Sequence, residues 1–340
     1  MRSIQHAAAL FLLSLAVLAP RQTGAQMFHF PTDNRALLEP GGEERFFAGT
    51  TGKPWTTGTF GCVRTDGRQM HEGIDIKCLR RDKRGEPVDE VKATADGTVA
   101  YFNIKPALSN YGKYIVLKHR IEGLEIYSVY AHLKEISQEV RVGATIKTGE
   151  KIGVMGRTAN TREGISKERA HVHFELNLFV NERFPAWHKK TFPEQRNDHA
   201  EWNGQNLIGL DPTLVLRAQA EQGNKFSLIH FLRNQTELCR VLVLDTHFSW
   251  LKRYPLLIKR NAVAEREGVA GYEIALNYNA LPFQLIPRAP SEMASPAKVH
   301  LLSVNETEYH KHPCRHLVIQ RGGHWELANA GKRSLDLLRF

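Results

Sequence analysis

The sequence predicts a mainly β protein: a compact antiparallel β domain followed by a smaller β-rich C-terminal domain. Two observations carry this. Short runs rich in Val, Ile, Tyr and Phe recur between closely spaced Gly, Asn and Asp turns, and long helical patterns are scarce over the 340 residues. A third, the length, fits two domains at roughly 100–200 residues each. With 42% apolar and 24% charged residues the chain can build cores and is not disordered wholesale.

The elements follow in order. Residues 1–25 read as a signal peptide: "MRSIQH" is a basic start, "AAALFLLSLAVLA" is an apolar run too short to span comfortably, and "TGA" offers small residues for cleavage after Ala25. No later run is apolar enough for a membrane span, so the mature chain is expected to be exported, periplasmic or extracellular, with no transmembrane segment. Residues 26–56 form an irregular lead-in. From 57 to 216, "EVKATADGTVAYF" breaks at a "DG" hairpin signal, and β-rich runs flank "EG" at 122–123. Within this domain 181–208 is polar and reads as an insertion loop, and "GLDPTLVL" closes the domain. Residues 217–225 read as a linker. Beyond it "RVLVLD", "YEIALNY", "KVHLLSV" and "HLVIQRGGHWELA" suggest a β-rich accessory domain over 226–340, with a hairpin at "RGG".

Export makes the four cysteines legible, because an even count in an oxidising compartment reads as disulfides. One bridge per domain pairs Cys62 with Cys78 and Cys239 with Cys314. The first would close a loop of about 15 residues, worth roughly 3 kcal/mol in the chain-entropy account. The net charge of +10 suits a polyanionic partner. No nucleic-acid motif accompanies it and the basic residues are scattered, so an anionic cell wall is favoured over nucleic acid.

The chemistry concentrates in histidines. In "RAHVHFEL", His171 and His173 stand two apart on a strand pattern, so both imidazoles project from one face. Upstream, "MHEGIDIKC" places His71 and Asp75 four apart. A straight strand would separate them by roughly 13 Å, so both can reach one ion only if the chain bends, which Gly73 permits. A helical H-E-x-x-H reading with Glu72 as base lacks its second histidine and is broken by Gly73. His132 in "YAHL" follows a β-rich run. By spacing alone either His171 or His173 could complete a metal set with His71 and Asp75. Cys78 points away from Asp75 along the strand and is assigned to a disulfide. A second cluster, "YHKHPCRH" with His310, His312, Cys314 and His316, could also attract a metal, but it lies on a proline-containing loop.

"HEGID", "YAHL" and "HVHFEL", set among glycine-rich β segments, resemble the lysostaphin and LytM family of zinc endopeptidases, peptidase family M23. "YGKYIVLKH", "GEKIGVMGRT" and "DPTLVL" fit the same pattern, and the resemblance covers roughly 57–216. It implies a small antiparallel β domain with an open groove carrying one zinc ion per chain. His71, Asp75 and His173 would bind the metal and His132 and His171 would be the catalytic pair. Arg64 in "FGCVR" stands one residue later than the family's upstream arginine segment would place it. The implied function is a secreted zinc metalloendopeptidase hydrolysing peptide bonds in peptidoglycan or its stem peptides. The alternatives are a non-catalytic LytM-like module that activates a cell-wall amidase, and a protease acting on secreted proteins. The resemblance does not extend to residues 226–340, which would bind wall, dock a partner or cap the groove.

Overall fold

The computed structural model describes residues 27–161, 164–293 and 297–340. The signal-peptide reading of 1–25 lies outside the described residues. Strands β1 (Gly61–Arg64) and β2 (Gln69–His71) form a hairpin ahead of β3 (Ile74–Lys77). There follow β4 (Glu90–Lys92), β5 (Gly97–Asn103), β6 (Tyr114–Ile121), β7 (Leu124–Ala131), β8 (Glu135–Ile136), β9 (Thr145–Ile146), β10 (Lys151–Val154), β11 (His171–Phe179) and β12 (Leu207–Leu210). A seven-stranded antiparallel sheet runs β12-β11-β7-β6-β5-β9, with β3 paired to the first half of β11. Strands β4, β10 and β8 form a smaller sheet.

Strand β11 positions the site. All nine of its residues are buried, yet its two faces differ. Val172, Phe174, Leu176 and Leu178 enter the apolar core, whereas His171, His173, Glu175 and Asn177 form a buried polar row two residues apart. Its register with β3 sets His173 directly opposite Asp75, so the two side chains share one face.

Two turn readings met different outcomes. At 122–123 a two-residue turn joins β6 to β7, with Glu122 and Gly123 both at positive φ (49° and 81°), which matches the strand twist. The "DG" at 96–97 is not a hairpin: β4 pairs with β10, while β5 pairs with β6 and β9. Asp96 instead accepts hydrogen bonds from Thr148 N and Oγ1, each 2.8 Å, and from Lys147 Nζ at 3.0 Å. A carboxylate that can bind a neighbouring loop overrides the local turn preference.

Beyond the first unit, β13 (Cys239–Val243), β14 (Gly271–Leu276), β15 (Pro282–Arg288) and β16 (Val299–Val304) form an antiparallel sheet ordered β15-β14-β13-β16. A hairpin of β17 (Val318–Arg321) and β18 (His324–Leu327) turns through Gly322 and Gly323 as read from "RGG".

The segments expected to be loose are packed. Residues 217–222, read as linker, continue the helix Pro212–Gln222. Asp211 caps its N-terminus by accepting from Thr213 N, Pro212 occupies the first turn, and Gly223 ends it at φ 55°. Gln219 on this helix makes reciprocal hydrogen bonds with Phe28 N and O at 2.8 and 2.6 Å, so the lead-in is fastened to the core. The insertion holds the helix Phe184–Thr191, whose buried Trp187 donates from Nε1 to Asp336 at 2.8 Å. One hydrophobic cluster includes Phe174 and Leu210 of the first unit with Leu232, Trp250 and Leu338 of the second.

Candidate metal centre and active site

Three donor atoms converge at the junction of β2, β3 and β11. His71 Nε2 lies 3.1 Å from Asp75 Oδ1 and 3.1 Å from His173 Nδ1, and His173 Nδ1 lies 3.0 Å from Asp75 Oδ1. These separations approach the edge of a tetrahedron whose corners lie about 2.0–2.2 Å from its centre, roughly 3.3–3.6 Å. This is the one His/Cys/Asp/Glu group found able to hold a metal among the described residues.

Each donor is aimed by a contact on its far side. His71 Nδ1–H donates to Thr59 O at 2.7 Å, leaving Nε2 to face inward. His173 Nε2–H donates to Glu175 at 2.7 Å, turning Nδ1 inward. Glu175 also accepts from Tyr111 OH at 2.6 Å and Asn177 Nδ2 at 2.7 Å. Asp75 turns Oδ2 outward to Arg64 Nη2 at 2.5 Å and Arg169 Nη2 at 3.1 Å, leaving Oδ1 for the cluster. A carboxylate behind a ligand histidine fixes its tautomer and ring orientation, so this donor set suits a divalent metal.

The bend at Gly73 is present for a different reason from the one expected. Gly73 is not among the positive-φ residues; a Cβ there would stand 2.4 Å from Phe174 O and 2.8 Å from Glu175 Cγ. Close approach of the chain to β11, not left-handed backbone, requires glycine. His132 does take the left-handed region, at φ 63°, where β7 ends.

His132 and His171 flank the cluster. Their ring centroids are 4.8 Å apart, and His132 is 5.9 Å from His173. His132 Nδ1–H donates to Thr158 O at 2.9 Å, and the residue lines a groove of about 540 Å³ with His71, Asp75, His173, Arg64 and Tyr111. His171 Nδ1–H donates to Arg169 O at 2.7 Å. Among the described residues its buried Nε2 has no hydrogen-bond partner, although Asp75 Oδ2 lies 3.3 Å away.

Electrostatics follow from burial and these contacts. Burial alone would raise Asp75, but the charges of His171, His71 and Arg64 hold its carboxyl well below the usual range. Burial and the neighbouring His171 and His173 push His132 well below an ordinary histidine, and burial lowers His71. Burial opposes the charge on His173, but hydrogen bonds to Asp75 and Glu175 win and raise it to about 10.

Glu175, Tyr111 and Arg169 escaped the sequence reading. Glu175 and Arg169 were legible in principle, since both keep the two-residue spacing of His171 and His173 in "RAHVHFEL"; Tyr111 arrives from a remote turn. The cysteine pairing is corrected: Cys62 joins Cys314, with Cα atoms 5.4 Å apart, while Cys78 and Cys239 are free thiols. Cys239 begins the inner strand β13, fully buried, and burial pushes its thiol up to about 12. Cys62 is level with Met70 in the hairpin before His71, whereas Cys78 follows β3. The "YHKHPCRH" cluster does not assemble: Cys314 is in the disulfide and His312 stacks on Tyr278 at 3.9 Å.

The profile of peptidase family M23 matches residues 69–184. Among solved structures, similarity is found to a protein from Ruminococcus gnavus assigned as a glycyl-glycine endopeptidase LytM. It is 25% identical over 45% of this chain and 48% of that one, with TM-score 0.29. The catalytic domain of lysostaphin from Staphylococcus simulans is 20% identical over 47% of this chain and 87% of that one, with TM-score 0.29. The catalytic domain of a prophage-encoded M23 protein, EnpA, from Enterococcus faecalis is 19% identical over 35% and 75%, with TM-score 0.26. This chain thus spans about half the length of the first of these, and such superpositions are too loose to carry an argument. A search of curated proteins returns no match. Residues 69–184, the segment that holds His71, Asp75, His132, His171 and His173, match the model of peptidase family M23.

Proposed function

We propose that the protein is an exported zinc metalloendopeptidase that hydrolyses peptide bonds in peptidoglycan. The observation carrying this reading is the convergence of His71 Nε2, Asp75 Oδ1 and His173 Nδ1, each oriented from behind. Two imidazoles and one carboxylate are the donor set of a catalytic zinc with one position left open, the metal taking the place of the proton that His173 otherwise holds between Asp75 and Glu175. When bound there, zinc supplies Lewis-acid polarisation of a carbonyl and lowers the pKa of water toward about 7.

The chain's own residues do the rest. His132, neutral through burial and held by Thr158, can accept a proton at Nε2 in the groove. His171, steadied through Arg169 O, keeps a partnerless Nε2 beside the cluster, suited to stabilise an oxyanion or to move a proton to the leaving amine. Arg64 and Arg169 neutralise Asp75 and hold its orientation. A non-catalytic amidase activator would be expected to lack metal ligands, and this chain retains all three. Export is consistent with the apolar N-terminal run and with the absence, among described helices, of one able to cross a membrane.

The test is mass spectrometry of purified peptidoglycan digested by the protein, with and without a zinc chelator. New amino termini that vanish on chelation are expected. Intact peptidoglycan despite bound zinc would overturn it as substrate, and failure to bind zinc would overturn the enzyme reading.

A further inference from the structure

The groove at the metal cluster does not stop at the peptidase segment. Gln69, Met70, Glu72, Asn110 and Tyr111 line both that groove and a second cavity of about 720 Å³. The opposite wall of the second cavity comes from the C-terminal unit, through residues 314–317 and 330–337, which lie outside the family match. Its charge is lopsided: Arg68, Arg315 and Arg333 line it against a single carboxylate, Glu72.

Arg315 is held in place. The neighbouring Cys314 is bonded to Cys62 of the hairpin that leads to His71. Arg315 Nε donates to Asn279 Oδ1 at 2.8 Å, and buried Asn279 donates in turn to Gly209 O of β12 at 2.9 Å. Among the described residues, no hydrogen bond or ion pair engages either Nη of Arg315, or the guanidinium of Arg68 or Arg333. A fixed guanidinium with free Nη groups on the wall of a cleft is preorganised for a carboxylate.

We propose that this cleft holds the part of an extended peptide substrate remote from the scissile bond, and that Arg315 and Arg333 select peptides bearing a carboxylate there. The proposal rests on reading the metal-site groove as peptide-binding. It gives the C-terminal unit a direct role as the far wall of the substrate site.

The test separates binding from hydrolysis. The full chain, stripped of metal with a chelator, is titrated calorimetrically with an unlabelled eight-residue peptide containing two glutamates, and with its glutamine counterpart. The glutamate peptide is expected to bind about ten-fold tighter or more, the scale of a charge-assisted contact. Arg315→Gln and Arg333→Gln should each erase most of that preference. Arg333 is exposed, so its replacement leaves the fold intact. Arg141→Gln, an equal loss of charge at an exposed site outside the cleft, should leave it unchanged. Equal binding of the two peptides overturns the proposal, as does an Arg141→Gln effect as large as the cleft variants'. Peptide preference without hydrolysis on restoring zinc would sink the peptidase reading and leave the cleft standing. Hydrolysis with no glutamate preference would do the reverse.

Discussion

The chain carries two dense charge clusters, and they sit in opposite surroundings. Around Asp75, whose side chain is 1% exposed, Arg64, Arg169 and three histidines are packed under the sheet. On the C-terminal sheet, Arg240, Glu273, Arg288 and Glu292 form a chain of pairs in which Arg288 remains 27% exposed. The second network keeps partial access to water at Arg240, Arg288 and Glu292, although Glu273 is largely covered, so each pair is screened more than those around Asp75 and contributes less. The first has been desolvated, so each member depends on the others. Burial on that scale is poor value for stability alone, and perturbed buried groups gathered beside a groove are the usual mark of a functional site.

The largest effect should come from breaking the buried cluster. Asp75→Asn leaves Arg64 and Arg169 without their carboxylate, so unfolding free energy should fall by about 3–5 kcal/mol, measured by urea denaturation. Bound zinc, read by elemental analysis, should be lost as well. A cost below about 1 kcal/mol would erase the distinction between the two clusters.

His171→Ala should reduce turnover by about 100-fold or more while zinc stays bound, whereas His173→Ala should lose both. Zinc analysis alongside peptidoglycan digestion reads this directly, and the reverse pattern would exchange the roles of the two histidines.

A third test concerns another polar group buried in the peptidase sheet. Burial pushes His119 down to about 4, against its hydrogen bonds to Asp96 O at 2.9 Å and Ser128 Oγ at 2.7 Å. A histidine kept neutral by the fold has its full stability above about pH 6.5 and loses it as pH falls toward 4, by about 3 kcal/mol. Urea unfolding at pH 7 and pH 4 should show a loss that is smaller by this amount in His119→Gln.

Glu175→Gln keeps the shape behind His173 but removes the charge, and should weaken zinc binding about 10- to 100-fold in a chelator-competition titration. The smallest effect belongs to the screened network. Glu273→Gln should cost about 1 kcal/mol or less, with the difference shrinking as salt is raised. A larger, salt-insensitive cost would mean that the C-terminal pairs behave as a buried site.

The five residues proposed for the site stand out in the sequence because strand periodicity and the short motifs that resemble the family are local properties. His171 and His173 share a face by the pleat alone, and the bend between His71 and Asp75 is implied by how far two ligands can lie from one ion. Glu175 obeys the same alternation and was missed only because a buried carboxylate two residues on looks like any other strand residue until its partners are known. Arg169 keeps the same spacing, two residues before His171, but its contact with Asp75, like that of Tyr111 with Glu175, is set by which distant segments pack together.

The sequence by itself determined the β character and the hairpins at 122–123 and 322–323, because backbone preference and side-chain alternation act over a few residues; it brought forward His71, Asp75, His171 and His173 as metal candidates, with the choice between the last two resting on resemblance. Tertiary structure alone decided that Cys62 meets Cys314 across 252 residues, that residues 217–222 are helical, and that the C-terminal unit walls a cavity sharing Gln69, Met70, Glu72, Asn110 and Tyr111 with the groove at the site. Those outcomes depend on which distant surfaces find apolar and hydrogen-bonding partners in a shared core, and no window of neighbouring residues contains that information.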